Sequence, residues 1–371
     1  MKFAIALSGG GVRAAVFHCG VLQRLALDRF LERITFVSTV SGGSLVTGLI
    51  VCRNSHRWPT SEQYLDSVLP QVAECLTTAT LQWSYTWRSL ALPWRLAQGR
   101  AHILAKRLEA QWGIGGSLQR LPVEPRWIIN ATCYETGKNW RFSQPRMGDY
   151  LTHYVLEPDV PISDAIAASS AVPGLIGPFV IRSDRYEWHR YKGRKPMPTS
   201  TCLRRYELWD GGVYDNLGVE PLFKSGGGFR EGFDLLLVSD ASASLNMAPR
   251  TFKRMIKPGH RVLRLVNVAT DQIRGLRSRA VVTQFMRAEK SGAYFRIGNT
   301  VDQIYAASRL PAPVGDYLSA EDVKHEATFS TTLRRLTQRE FTRLLRHGFE
   351  VADATLATRL PDHFAHREVP G

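Results

Sequence analysis

The sequence predicts an α/β fold that opens on a parallel sheet. Three observations carry this. An apolar run over residues 3–7 breaks at Ser8-Gly9-Gly10-Gly11 and gives way to helical spacing. A second apolar, β-branched run over 34–40 breaks at Ser41-Gly42-Gly43 and again leads into a helix-like stretch. Further on, DLLLVS at 234–239 is a continuous apolar run of the kind a doubly buried strand shows. Strand, tight loop, helix and strand is the order in which parallel neighbours are joined, because a hairpin cannot connect them.

Taken in order, FAIAL at 3–7 is too short for a secretory core and has no small-residue cleavage site after it, so it reads as a first buried strand of a cytoplasmic protein. Residues 14–27 carry Ala15, Cys19, Leu22, Leu25 and Ala26 at helical spacing. A strand over 34–40 and a helix over 43–53 follow. Residues 61–112 read as helix with interruptions, 126–133 as a strand, and 163–172 as a small-residue helix stopped by Pro173-Gly174. Strand character returns at 178–182, 205–209 and 234–239, and RVLRLVNV at 261–268 reads as a further strand. Helices are expected over 270–291 and 337–359. The second of these opens on Thr337 and Glu340, the spacing of a capping box. The expected organisation is a core over 2–225 with an insertion at about 61–120. A basic, helical part over 226–360 completes the same domain, and 361–371 is a loose tail.

With 44% hydrophobic and 22% charged residues, the 371-residue chain has a globular composition. No apolar run approaches the roughly 20 residues of a membrane span. Five cysteines without a C-x-x-C pair speak against a disulfide framework or a zinc site. The formal charge is +15, and 38 of the 48 basic residues are arginine. Arginine forks suit phosphate, so the charge points to anionic lipid headgroups or nucleic acid. No zinc-finger spacing or aromatic-glycine RNA motif is present, and no nucleic-acid partner is expected.

Two loops can carry chemistry. Gly9, Gly10 and Gly11 follow a strand and open a helix, where bare backbone N–H groups meet an anion. Gly9-x-Gly11-x-x-Ala14 also fits a dinucleotide fingerprint, but that fingerprint requires an acid after the second strand. The second strand ends in Ser38-Thr39-Val40-Ser41, and Glu32 precedes it. The other reading is an oxyanion hole facing Ser41. Ser41 itself lies at a strand-to-helix bend, as a nucleophile does on an elbow. A base is then needed. No histidine falls in a telling motif, and an elbow on the second strand is too early for an α/β-hydrolase. Asp210, in Leu208-Trp209-Asp210-Gly211-Gly212, ends a strand-like run and is the candidate base.

The order of these motifs resembles the patatin-like phospholipase family. The motifs are Gly9-Gly10-Gly11-x-Arg13, Ser41-x-Gly43, Ala168-Ser169-x-Ala171-x-Pro173 and Asp210-Gly211-Gly212, with Asp215, Asn216 and Gly218 after them. They span about Lys2 to Pro221. The resemblance implies a patatin-like three-layer sandwich, a mostly parallel central sheet flanked by helices. It implies a serine lipid acyl hydrolase with a Ser41–Asp210 dyad, an oxyanion hole from the Gly9, Gly10 and Gly11 loop with Gly10 and Gly11 as its chief donors, support from Arg13, Gly43, Gly211 and Gly212, and no metal or organic cofactor. Substrate would be fatty acyl esters of phospholipid or lysophospholipid at a membrane surface, expected to be anionic, with no obligate protein partner. The same dyad would serve a thioesterase or acyltransferase, and a non-catalytic lipid-binding regulator could keep the same fold. The pattern departs at Thr39, where glycine is usual. A β-branched residue under the elbow is expected to shift the serine.

Two segments read as lipid-facing. Trp83, Trp87, Leu90 and Trp94 recur among Arg88, Arg95 and Arg100, a combination suited to a bilayer interface. Residues 250–290 hold eleven Lys or Arg, with Ile273, Leu276, Ala280, Thr283 and Met286 sketching an apolar face and Arg274, Arg277, Arg279 and Arg287 mostly off it.

Overall fold

A computed structural model describes residues 1–81, 93–201, 203–224, 226–243, 258–287 and 292–370. The chain runs β1 (Phe3–Leu7), α1 (Gly11–Leu27), β2 (Ile34–Thr39), α2 (Gly42–Arg53), α3 (Leu69–Thr78) and α4 (Pro93–Trp112). Then come β3 (Arg126–Cys133), β4 (Asn139–Ser143), β5 (Arg146–Asp149), β6 (His153–Leu156), α5 (Ile162–Ser169), β7 (Phe179–Arg182), β8 (Trp188–Lys192), β9 (Lys195–Thr199) and β10 (Arg205–Asp210). The remainder is α6 (Gly212–Asp215), a small hairpin of β11 (Phe223–Lys224) and β12 (Gly228–Phe229), β13 (Leu235–Asp240), α7 (Pro258–Arg287), β14 (Gly292–Arg296), α8 (Val301–Ala307), α9 (Ala320–Thr328) and α10 (Gln338–Arg359).

One mixed sheet organises the molecule, in the order β14-β13-β1-β2-β3-β4-β5-β6-β8-β9, with β10 paired to β3 and β7 paired to β10. Its central strands β13, β1, β2 and β3 are parallel, as is β14 beside β13. From β3 outward the ladders are antiparallel. The period of two along β1 explains the helices on both faces. Phe3, Ile5 and Leu7 enter one apolar cluster with residues of α1, α2 and α10. Ala4 and Ala6 enter a second with Leu217, Val219 and Val281, the last from α7. A strand buried on both sides must be apolar throughout, which is why FAIAL reads without alternation.

The Thr337–Glu340 capping box forms as its spacing predicts, with both reciprocal bonds present. Other expectations are corrected. Residues 261–268 are not a strand but lie within α7, whose 30 residues begin at Pro258. Alternating Val and Leu invite the strand reading, whereas continuity with the following helical turns decides the outcome. The small-residue helix ends at Ser169, four residues before Pro173. The segment after Leu360 is not loose. Phe364 is buried against Phe30 with ring centroids 4.2 Å apart, and the Arg367 N–H donates to Asp353 at 2.9 Å. Buried Arg24 ties this end down, donating to Asp353 and to the Ala365 carbonyl, each at 2.6 Å. The tryptophan-rich stretch at 83–94 lies outside the described residues and side chains.

Candidate active site

Ser41 stands between β2 and α2 at φ 49° and ψ −112°, a conformation few non-glycine residues adopt. Such a bend lifts the hydroxyl away from the main chain. It is held from several sides. The Ser41 N–H donates to Ser169 Oγ at 3.0 Å, Val40 N–H to the Leu7 carbonyl at 3.1 Å, and Gly43 N–H to the Ser8 carbonyl at 3.1 Å. A Cβ on Gly43 would fall on the Leu7 carbonyl oxygen, and one on Gly42 on the Gly11 carbonyl oxygen. The two glycines are therefore where the start of α2 presses on β1 and on the start of α1.

Thr39 is itself hydrogen-bonded into this arrangement. Fully buried, it accepts the Trp127 indole N–H at 2.9 Å and lies 2.8 Å from Ser44 Oγ. Ser44 Oγ is in turn 2.9 Å from Ser169 Oγ, the acceptor of the Ser41 N–H. Thr39 thus begins a hydrogen-bonded chain that ends at the elbow's own backbone. Asn130 adds a bond to the Thr39 carbonyl at 3.0 Å.

Asp210 arrives from β10, which runs antiparallel to β3, itself the neighbour of β2. Its main chain is fixed by bonds from its N–H to the Ala171 carbonyl at 3.0 Å and from Thr132 Oγ1 to its own carbonyl at 2.9 Å. The Gly212 N–H donates to Oδ1 at 2.7 Å, and Asp210 and Ser41 line the same cleft. Burial pushes the Asp210 carboxyl up to about 6, and the Gly212 N–H and the Ser41 side chain oppose the rise. Gly211 lets the turn pass close to the Asn130 carbonyl of β3.

The glycine loop lies on the other side of Ser41. Gly10 precedes α1 at φ 146° and Gly11 begins it at φ 63°. Among the described residues, neither their N–H groups nor a side-chain cap is engaged with a partner. Gly9 differs from the expectation, because its N–H donates to the Asn216 carbonyl at 3.0 Å. The open donors are therefore Gly10 and Gly11. The N-termini of α1 and α2 both face this spot, adding two positive dipole ends.

Arg13 braces the loop and is not a surface cation. It is 1% exposed, donates to the Ala241 carbonyl at 3.2 and 3.0 Å, and also donates to the Phe329 carbonyl. Desolvation brings its guanidinium down to about 10, partly offset by Asp240. Sequence reasoning did not single out His18. It is buried under the loop, with Nε2 2.9 Å from the Ser8 carbonyl and Nδ1 2.7 Å from Ser239 Oγ, and burial lowers it to about 4. It is a neutral strut for the loop. Ser169 and Asn216 were legible as motif letters, but their contacts to Ser41 and Gly9 were not.

Gly10, Ser41, Asp210, Val213, Val266 and Thr270 line a common cleft of about 330 Å³. The wall supplied by α7 differs from the expected lipid face. Arg274 pairs with Asp240 at 3.0 Å and Asp271 at 2.7 Å, and Arg277 pairs with Glu220 at 2.6 Å. Both arginines therefore point into the protein. Ile273 and Ala280 are half-buried, while Leu265, Leu276 and Met286 are 67, 61 and 66% exposed. Among the described residues, no group of three His, Cys, Asp or Glu side chains could hold a metal ion, and no helix is long and apolar enough to cross a membrane.

A family model described as patatin-like phospholipase matches residues 5–223. A patatin-like phospholipase domain-containing protein of Aspergillus oryzae is 28% identical over 189 residues, 50% of this chain and 23% of that protein. A second, from Chaetomium globosum, is 29% identical over 182 residues, 48% of this chain and 19% of its own. These aligned stretches make up about a fifth to a quarter of the curated relatives they match. Among solved structures, human GIVD cytosolic phospholipase A2 is similar in fold with a TM-score of 0.51 at 17% identity, covering 98% of this chain and 60% of that one.

Proposed function

The chain belongs to the patatin-like phospholipase family, and from that premise we propose that it is a serine lipid acyl hydrolase acting on fatty acyl esters of phospholipids or lysophospholipids. The observation that carries the reading is the convergence on one cleft of three parts: the Ser41 hydroxyl on its strained bend, the buried Asp210 carboxyl, and the Gly10 end of a glycine loop whose Gly10 and Gly11 N–H groups have no partner among the described residues. In this mechanism ionised Asp210 takes the Ser41 proton as Oγ attacks the ester carbonyl. The negative charge that forms on the carbonyl oxygen meets the two glycine N–H groups and the helix termini behind them. Asp210 returns the proton to the departing alcohol oxygen, leaving an acyl-serine. It then takes a proton from water, which attacks the acyl carbon and releases the fatty acid.

The substrate is a bilayer component, so the cleft must meet a surface. The net charge of +15 and the exposed Leu265, Leu276 and Met286 on the helix that walls the cleft support docking on an anionic membrane. The test is fatty acid release from mixed anionic and zwitterionic phospholipid vesicles. Ser41→Ala and Asp210→Asn should each lose roughly 10³-fold or more of the wild-type rate. Retention of the rate by either variant would remove the dyad. Transfer of the acyl group to an added alcohol, with no free acid, would make the protein an acyltransferase.

A further inference from the structure

Away from the cleft, the face of the sheet formed by β3 to β6 carries a second cavity, of about 450 Å³. Its floor follows from strand register. Asn130 of β3 is paired with Arg141 of β4, Arg141 with Gly148 of β5, and Gly148 with Tyr154 of β6. Arg141, Gly148 and Tyr154 all line the cavity, and Gly148 adds no side chain to it. A Cβ there would fall on the His153 carbonyl oxygen.

The walls are basic. Arg126, Lys138, Arg141, Arg146, Lys224 and Arg230 all line the cavity. Three acids share it, and two are engaged elsewhere. Asp149 accepts from the N–H groups of Leu151 and Thr152 and from Thr136 Oγ1. Glu220 is held by Arg277 at 2.6 Å. Glu231 is exposed at the edge. Among the described residues Arg141 has no ion pair, although its side chain is largely enclosed. Desolvation, and then the charges of Arg230 and Arg146, bring its guanidinium down, while Glu220 and Tyr154 oppose them. Aromatic rings hold several of the cations in place. Arg146 lies 4.9 Å from the Tyr154 ring centroid, Lys138 5.8 Å from that of Tyr150, and Arg126 5.8 Å from that of Phe36. These six cations line one hollow around the half-buried Arg141, and among the described residues its three acids are held elsewhere or lie at the edge.

We propose that this cavity is a binding site for a phosphate-rich anion, carried either by a soluble molecule or by a lipid headgroup. Forked guanidinium groups match phosphate oxygens in bidentate fashion, and a bound anion would offset the mutual repulsion of Arg141, Arg146 and Arg230. The site is separate from the dyad cleft, and its occupancy is read by binding, so it stands whether or not the chain hydrolyses lipid.

Titration calorimetry with inositol hexakisphosphate at about 0.15 M salt tests it. Arg141→Gln and Arg230→Gln should each weaken binding roughly tenfold or more, as loss of a charge-assisted bond predicts. Arg335→Gln, an exposed charge outside the cavity, should leave it unchanged. Arg230 is exposed, and Arg141→Gln removes a repelled charge, so both variants should melt at or above the wild-type temperature. Co-sedimentation with phosphatidylcholine vesicles carrying phosphatidic acid or, at equal surface charge, phosphatidylserine separates the sources. A preference for phosphatidic acid that Arg141→Gln abolishes assigns the lipid headgroup. Hexakisphosphate binding without that preference assigns a soluble ligand. No hexakisphosphate binding, or an equal loss in Arg335→Gln, overturns the proposal.

Discussion

The Trp127 indole N–H donates to the Thr39 hydroxyl at 2.9 Å, two residues before the bend at Ser41. Thr39 thereby occupies the place of a glycine and still serves the elbow, through Ser44 and Ser169 to the Ser41 N–H. Every hydroxyl in that chain is buried, so each depends on its neighbour for a partner.

Thr39→Val keeps the shape but strands the Trp127 donor and one bond of Ser44. The variant should lose about 1–3 kcal/mol of stability, measured by chemical denaturation. Its rate of fatty acid release should fall more than in a Thr39→Ser variant, which keeps the hydroxyl. Equal stability of Thr39→Val and wild type would show that the network contributes nothing.

In the proposed mechanism Asp210 must be ionised to accept the Ser41 proton. With its carboxyl raised to about 6 by burial, turnover of a soluble ester should climb as pH rises through 6 and level off above it. A profile already flat from pH 4.5 upward would contradict that role.

The same shift predicts a stability difference of definite sign. A carboxyl whose folded value, about 6, exceeds its ordinary 3.8 holds its proton better in the folded state. Its favourable contribution is full below pH 3.8 and disappears as pH passes 6. Asp210→Asn avoids the burial of charge and keeps an oxygen for the Gly212 N–H. It should therefore be more stable than wild type at pH 8 by about 2–3 kcal/mol, a gap that closes near pH 4. Thermal melts at the two pH values check this. A gap that widens on acidification would reverse the sign and refute the argument.

Gly43 packs against the backbone of β1, where no side chain can give way. Gly43→Ala should destabilise the fold by about 1–3 kcal/mol and abolish fatty acid release, because the bend at Ser41 must shift. A variant with wild-type melting and activity would show that the contact relaxes freely.

The docked C-terminal segment makes a prediction that the sequence would not have suggested. Phe364→Ala removes a buried ring that packs on Phe30 and beneath Arg24, and should lose about 3–5 kcal/mol. A truly loose tail would lose nothing, and urea denaturation distinguishes the two.

Much of this protein is written locally. Residues 3–7 and 234–239 are apolar without interruption, because both faces of a central strand are covered. Thr337 and Glu340 announce the start of the last helix by spacing alone. Ser41 and the 9–11 glycines are legible because sharp bends and exposed N–H groups restrict which residues can stand there. The order of these motifs was enough to name the family.

Other features depend on partners distant in the chain, and no local pattern reports those. The polar strands β4 to β6, β8 and β9 form because successive antiparallel ladders extend the sheet beyond β3, not because their residues alternate cleanly. Residues 261–268 carry β-branched side chains yet continue a helix, and Phe364 is anchored by Phe30 from the other end of the chain. Gly9 loses its role as a donor to Asn216, more than two hundred residues away. Thr39 becomes a support only because Trp127 lies on the adjacent strand. Sequence alone determined which chemical groups are available and where the chain must bend. The tertiary structure decided which of them meet, since a hydrogen bond or an ion pair forms across a few ångströms of space whatever length of chain separates its ends.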